Sequence, residues 1–207
     1  MLCWPLSMEI SIILSHPEPR SFNHAIALTA CQTLERLGHT VQFHDLYEEG
    51  FDPLLPAEEL PSEVALSPIL KRHCEELQRA DGLVFVHPNW WGQPPAMMKG
   101  WIDRVIRPGV AYKFLEGDSG EGVPVGLLRA QAAVIFNTAN TPPAREMEVF
   151  GDPLDNLWKR CILDFCGVKK VVRETFSVVI TSTPEQRAQW LEQVEQIVTA
   201  TFPQTTR

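Results

Sequence analysis

No stretch of the chain approaches the ~18 consecutive apolar residues of a membrane-spanning helix. The N-terminus also lacks the basic start and long apolar core of a secretory signal. Positive charge is scarce: 18 lysines and arginines face 26 acidic residues, a net charge of −8. Nucleic acid and anionic membranes, which need a basic face, are therefore poor partners. Five cysteines are present, an odd number with no CxxC spacing. Cys161 and Cys166 stand five apart without a histidine nearby in sequence, so neither a metal site nor a disulfide framework is indicated. Free thiols in a reducing compartment fit better, and the chain is expected to be cytoplasmic. Internal repeats, low-complexity tracts and an interdomain linker are all missing. At 207 residues, one domain spanning the whole chain is expected. Residues 1–8 read as an appendage, because the first regular pattern begins only at Met8 or Glu9. Met8 is an alternative start.

The most informative stretch runs from His87 to Tyr112, HPNWWGQPPAMMKGWIDRVIRPGVAY. It follows an apolar run, Gly82–Val86, with no alternation, which reads as a strand buried on both faces. Pro88, the adjacent Trp90 and Trp91, Gly92 and the Pro94–Pro95 pair come next. Tryptophan is costly to expose in a loop, so this pair reads as the wall of something flat and apolar. Gly92 has no Cβ and lets its amide approach a ligand. Pro95 suits a helix start, and Met97, Met98, Trp101, Ile102, Val105 and Ile106 recur at helical spacing through Arg107.

Elsewhere the pattern predicts strands at Glu9–Ser15, His39–His44, Ala132–Asn137 and within Lys169–Ile180. Helices are predicted at Ser21–Leu37, Ser67–Arg79, Leu154–Phe165 and Pro184–Phe202, the last with Thr183 as N-cap. Asp45–Pro61 reads as a loop whose apolar residues pack on the body or on another subunit, and Leu115–Val123 as an acidic, glycine-rich surface loop. Five strands alternating with helices define an α/β fold, a parallel sheet between two helical layers. The flavodoxin-like strand order 2-1-3-4-5 suits five strands, and it places ligands at the switch point between strands 1 and 3. The unusual loops follow those two strands.

The first of these loops, His16-Pro17-Glu18-Pro19-Arg20-Ser21-Phe22-Asn23, leads into a helix. The free amides and partial positive charge of a helix N-terminus suit a phosphate. Ser21 adds a hydroxyl, Arg20 a forked cation and His16 a donor. Alternatively Ser21 only caps the helix and Arg20 faces solvent. The loop has neither GxGxxG nor GK[ST], which disfavours a Rossmann site and a P-loop. After strand 4, Asn137-Thr138-Ala139-Asn140-Thr141-Pro142-Pro143 offers short polar groups for the edge of a heterocycle. By itself it is a proline turn.

His16-Pro17 to Asn23, with Pro88-x-Trp90-Trp91-Gly92-x-x-Pro95-Ala96-x-x-Lys99-Gly100-Trp101-Ile102-Asp103-Arg104-Val105 and Ala111-Tyr112, resembles the flavodoxin-like NAD(P)H:quinone oxidoreductases. These include quinone reductases, modulators of drug activity and the ancillary oxidoreductases of potassium-efflux systems. The resemblance covers roughly Glu9 to Ile180. It implies a flavin whose phosphate meets His16, Arg20, Ser21, Phe22 and Asn23. Its ring would lie along Pro88, Asn89, Trp90, Trp91 and Gly92, with Asn137, Thr138, Ala139 and Asn140 at the other edge. It further implies NAD(P)H as hydride donor, a quinone-like acceptor and a homodimer with sites at the subunit junction. One pocket walled by Trp90, Trp91 and Pro88 would hold one flat ligand at a time, so ping-pong transfer is expected. FMN is expected over FAD, since no adenosine pocket is visible in so short a chain. The mammalian glycine pair, tyrosine and histidine after strand 4 are replaced by Thr138-Ala139, Ala144 and Phe150, so the side-chain proton relay is not carried over. Rival readings are a flavodoxin electron carrier, a flavin-binding subunit docked on a transporter, and a flavin-free response-regulator-like domain. HPEPRSFN is not the Ser/Thr/Gly-rich loop of the first. Ser15, His16 and His87 stand where the last needs acids.

Overall fold

A computed structural model describes residues 7–60, 64–115, 117 and 121–204. The predicted N-terminal appendage, apart from its last two residues, lies outside the described residues, as do Pro61 and parts of the Leu115–Val123 loop. The chain runs β1 (Glu9–Leu14), α1 (Phe22–Arg36), β2 (Thr40–Asp45), α2 (Pro68–Arg79), β3 (Gly82–Pro88) and α3 (Ala96–Val105). A short antiparallel ribbon, β4 (Tyr112–Lys113) with β5 (Val125–Gly126), precedes β6 (Ala132–Ala139). Then come α4 (Pro143–Arg145) with a wide turn over Glu146–Phe150, α5 (Pro153–Asn156) continuing as a wide helix through Leu157–Asp164, β7 (Lys170–Ser177) and α6 (Pro184–Thr201).

The long strands pair in parallel in the order β2-β1-β3-β6-β7. With the ribbon's two strands set aside, this is the expected 2-1-3-4-5 order. The helices start where the sequence caps them: Ser21 Oγ accepts from the His24 amide, Ser67 from Leu70 and Thr183 from Gln186. Both faces of the sheet are covered, which is why the inner strands β1, β3 and β6 are buried almost throughout. The edge strands β2 and β7 carry polar residues and are only partly buried. Ile10, Ile12, Leu14, Val84, Val86, Val134 and Phe136 pack with Ile26, Leu34, Val194 and Val198 from α1 and α6. Ile13, Leu83, Phe85 and Ile135 meet Leu77, Met98, Trp101 and Trp158 on the other side.

The Asp45–Pro61 segment packs on the body through Leu46 and Phe51, while Leu54 and Leu60 are exposed. Two polar ties hold it. Arg104 Nη2 lies 2.6 Å from Glu59 Oε1, both side chains nearly buried. Glu49 accepts from His44 and His73 at 2.9 Å each. Burial alone would raise the Glu49 carboxyl, but the two histidine hydrogen bonds outweigh it and hold it at about 2. Trp101 Nε1–H donates to His73 Nδ1 at 3.1 Å, which leaves His73 Nε2 protonated and facing Glu49. That tautomer suits a hydrogen-bonded pin, not a metal ligand.

Candidate flavin-binding site

Parallel strands deliver all their following loops to one edge, and at that edge β1 and β3 send their chains to opposite faces. The gap between them is a cleft of about 340 Å³. Its walls are His16, Ser21, Phe22 and Asn23 after β1, and Pro88, Asn89 and Trp90 at β3. Thr138, Ala139, Asn140 and Thr141 from β6 and Val179 and Ile180 beyond β7 complete it.

The residues of the first loop stand differently toward the cleft. Ser21 caps α1 and also lines the cleft. The first turn of α1 holds no acid to oppose an anion. Arg20, however, points to solvent with its side chain 92% exposed, 3.6 Å from Glu18. A pair this exposed contributes roughly 0–1 kcal/mol, so the forked cation expected for the phosphate stands away from the cleft. His16 accepts the Glu18 amide on Nδ1 at 3.1 Å, which puts the neutral ring's proton on Nε2. Burial, reinforced by nearby His24 against the Glu18 carbonyl, keeps His16 below its ordinary range. Asn23 is 3% exposed and donates from Nδ2 to Thr138 Oγ1 at 2.9 Å. Its carbonyl oxygen is buried without a protein partner. A buried acceptor in a cleft wall is expected to find one.

The tryptophans divide between two cavities. The Trp90 and Gln93 backbones exchange two hydrogen bonds of 3.0 Å. Between them Trp91 and Gly92 both take positive φ, 59° and 71°. A positive φ is costly for a residue as bulky as Trp91, and such strain gathers at functional sites. Trp90 lines the cleft 6.1 Å from the His16 ring. Trp91 is fully exposed and reaches an adjoining cavity of about 580 Å³ shared with Gly92, Gln93, Glu146, Phe150 and Pro153. Asn89 and Thr141 border both. Asn89 ties the turn together, accepting the Gly92 amide at 2.9 Å and donating to Glu146 at 3.0 Å.

Asn137, read as both the end of strand 4 and the start of the loop after it, belongs to the strand. β6 runs on to Ala139, because Asn137, Thr138 and Ala139 pair with Thr175, Phe176 and Ser177 of β7. The Asn137 side chain is fully buried and turns beneath the cleft. Its Nδ2 donates to the His87 carbonyl at 3.1 Å, and its Oδ1 accepts from Arg173 Nε at 2.8 Å. Arg173 Nη1 in turn lies 2.6 Å from Asp152 Oδ2. His87 donates from Nδ1 to the Pro88 carbonyl and accepts from Trp158 Nε1 on Nε2. Burial, helped by the Arg173 charge and opposed by the Pro88 bond, pushes the ring down to about 4. His87 is thus a neutral support under the site and no acid or base for it.

Sequence reasoning missed His24 and Asp45, which are joined at 2.8 Å beside Ser21. It also missed Val179 and Ile180, which only the sheet order brings to the cleft.

A five-stranded parallel sheet with a cleft at its switch point, closed by a helix N-terminus and a tryptophan turn, defines a flavodoxin-like ligand-binding protein. The chain belongs to the family described as having the flavodoxin-like fold, whose model matches residues 8–198. It is 36% identical over 177 residues to an uncharacterised NAD(P)H oxidoreductase of Haemophilus influenzae, covering 82% of this chain and 83% of that one. To the ribosyldihydronicotinamide dehydrogenase [quinone] of Rattus norvegicus it is 28% identical over 216 residues, with 91% of both chains covered. The solved NAD(P)H:quinone oxidoreductase from Methanothermobacter marburgensis matches with a TM-score of 0.78 at 26% identity, over 93% of this chain and 96% of that one.

Proposed function

We propose that this protein is a flavin-dependent NAD(P)H oxidoreductase that reduces quinones or similar flat acceptors. The observation that carries the reading is one cleft holding three complementary features. These are the acid-free N-terminus of α1, the unpartnered buried Asn23 carbonyl and the exposed Trp90 wall. FMN suits that set: a phosphate for the helix, hydroxyls for the carbonyl and a flat ring for the wall. When bound, FMN accepts a hydride equivalent from NAD(P)H and passes two electrons to the acceptor.

The residues' parts follow from their chemistry. The Ser21 hydroxyl, the Phe22 and Asn23 amides and His16 Nε2–H donate to the phosphate. Asn23 Oδ1 accepts from a ribityl hydroxyl. Pro88, Asn89 and Trp90 hold one side of the ring; Thr138, Ala139 and Asn140 meet its polar edge. Trp91, Gly92 and Phe150 wall the cavity beside it, where the nicotinamide and the acceptor take turns. One such cavity makes simultaneous occupancy by two flat ligands unfavourable, so the kinetics are expected to be ping-pong. Anaerobic titration of the FMN-loaded protein tests the function. NAD(P)H is expected to bleach the flavin band and a naphthoquinone to restore it within the enzyme's turnover time. Protein that takes up neither FMN nor FAD, or whose flavin NAD(P)H cannot reduce, sinks the reading.

A homodimer is part of the same proposal. Leu54, Leu60, Trp91, Met147, Val149 and Phe150 are all at least half exposed, large apolar side chains that a subunit interface would cover. Sedimentation at micromolar concentration is expected to give twice the 23.4 kDa chain mass. A single-chain mass with full activity excludes it.

A further inference from the structure

The Ser21 hydroxyl belongs to a three-residue chain whose other two members, His24 and Asp45, the proposed reaction leaves unused. Ser21 Oγ lies 2.9 Å from His24 Nδ1, and His24 Nε2 lies 2.8 Å from Asp45 Oδ2. A carboxylate only accepts, so Nε2 carries a proton. Nδ1 then decides which way the Ser21 proton points. On a neutral ring Nδ1 is an acceptor, and the Ser21 O–H turns towards it. On an imidazolium Nδ1–H donates to Ser21 Oγ instead. The His24 amide already donates to that oxygen at 3.3 Å. Both lone pairs are then taken, and the hydroxyl can act only as a donor into the cleft it lines.

An anion at the first turn of α1 requires donors and selects this second arrangement. The unpartnered Asn23 carbonyl, 3% exposed in the same wall, independently marks the cleft as built for a ligand. We propose that His24 is a positioning residue that couples binding of a phosphate monoester at Ser21 to uptake of one proton from solvent onto Nδ1. The proposal rests on the anion site assigned above and adds its regulation by pH.

Several groups surround His24. The His16 ring stands 6.3 Å away on the β1–α1 loop, held below its ordinary range chiefly by burial. Glu18 on that loop pairs with Arg20. Asp45 at the end of β2 and Tyr47 and Glu48 just after it share with His24 a cavity that also touches Leu28 and Phe43. The first turn of α1 adds no acidic residue. Because binding takes up a proton, affinity for the anion falls as pH rises, by up to about tenfold per pH unit. The phosphate's own second ionisation, near pH ~6, works in the opposite direction, so variants must separate the two.

Asp45→Asn provides that separation. Asp45 Oδ1 accepts the Tyr47 and Glu48 amides, and Oδ2 holds His24. Asparagine keeps the first oxygen and presents an N–H in place of the second. His24 Nε2 becomes the acceptor, its neutral ring carries the proton on Nδ1, and Ser21 is freed without any protonation. The test is calorimetry with FMN, riboflavin and inorganic phosphate, in two buffers of different ionisation enthalpy at about pH 7. Wild type is expected to take up more protons per FMN or phosphate than Asp45→Asn does, with no such excess for riboflavin. Asp45→Asn should match or exceed wild-type FMN affinity on the alkaline side, where a merely structural Asp45 would leave it weaker at every pH. Equal proton uptake in the two proteins overturns the proposal. So does uptake that persists in Ser21→Gly, since glycine is tolerated at a helix N-cap but lacks the hydroxyl. Phosphate binding with linked uptake but no flavin binding supports the coupling and removes the flavin reading. FMN binding without it does the reverse, and failure of every ligand removes both.

Discussion

Replacing Arg173 by leucine is expected to lower the melting temperature by roughly 6–12 °C and to weaken FMN by about tenfold. Arg173 is 5% exposed at the side chain and meets three partners: Asp152 at 2.6 Å, the Asn137 carbonyl oxygen at 2.8 Å and, more loosely, Asp155 at 3.7 Å. Leucine fills much of the volume but leaves the Asp152 carboxylate without its cation. Losing one partner of a buried pair costs about 3–5 kcal/mol, and the lower end applies because Asp152 retains 19% exposure. For a chain of this size each kcal/mol moves the melting point by roughly 2–4 °C. The effect reaches the cleft through short links. Asn137 bonds the His87 carbonyl, and the next residue, Thr138, accepts the Asn89 amide at 2.7 Å and the Asn23 side chain at 2.9 Å. Arg173→Lys keeps the charge without the planar fork and should fall between the two. Thermal melting and a flavin titration decide the matter. A leucine variant with unchanged midpoint and affinity would show that the network beneath the strands is dispensable.

Gly100→Val is expected to be the most damaging single change in α3. On helix propensity alone glycine is a poor choice at this position, and alanine would be better by about 1 kcal/mol. The tertiary structure reverses that preference. A Cβ at residue 100 would overlap the backbone carbonyl of Pro53 and its Cα and Cβ. Those are backbone and ring atoms that cannot swing aside. Overpacking of this kind costs roughly 1–3 kcal/mol for one added carbon and more for a branched side chain. The displaced segment also carries Asp52 and Glu59, which bind Arg104, so the loop's anchor loosens with it. Urea denaturation should show Gly100→Ala less stable than wild type despite its better propensity, and Gly100→Val several kcal/mol worse. An alanine variant as stable as wild type would mean that the loop over residues 51–60 moves away at no cost.

The elements themselves were readable in the sequence for local reasons. Period and composition placed five strands and their helices, Ser21, Ser67 and Thr183 marked helix starts, and Pro95 marked another. Continuous apolar strands meant a sheet covered on both faces, and that with alternating helices meant a parallel order with a switch point. From that point two loops, His16–Asn23 and Pro88–Gly92, could be assigned to one site. Tertiary structure decided what each side chain does there. Arg20 and Ser21 are neighbours in sequence, yet one faces solvent and the other lines the cleft, because the turn into α1 rotates them apart. Asn137 reads from the sequence as both the end of the strand Ala132–Asn137 and the start of the loop after it. Pairing with β7, dozens of positions away, carries the strand on to Ala139, and Arg173 supplies the Asn137 hydrogen bond. Val179 and Ile180 enter the cleft, and Asp45 reaches His24, through sheet order alone. Local propensity carries the period and the caps; which distant polar groups satisfy one another depends on a packing that no window of sequence contains.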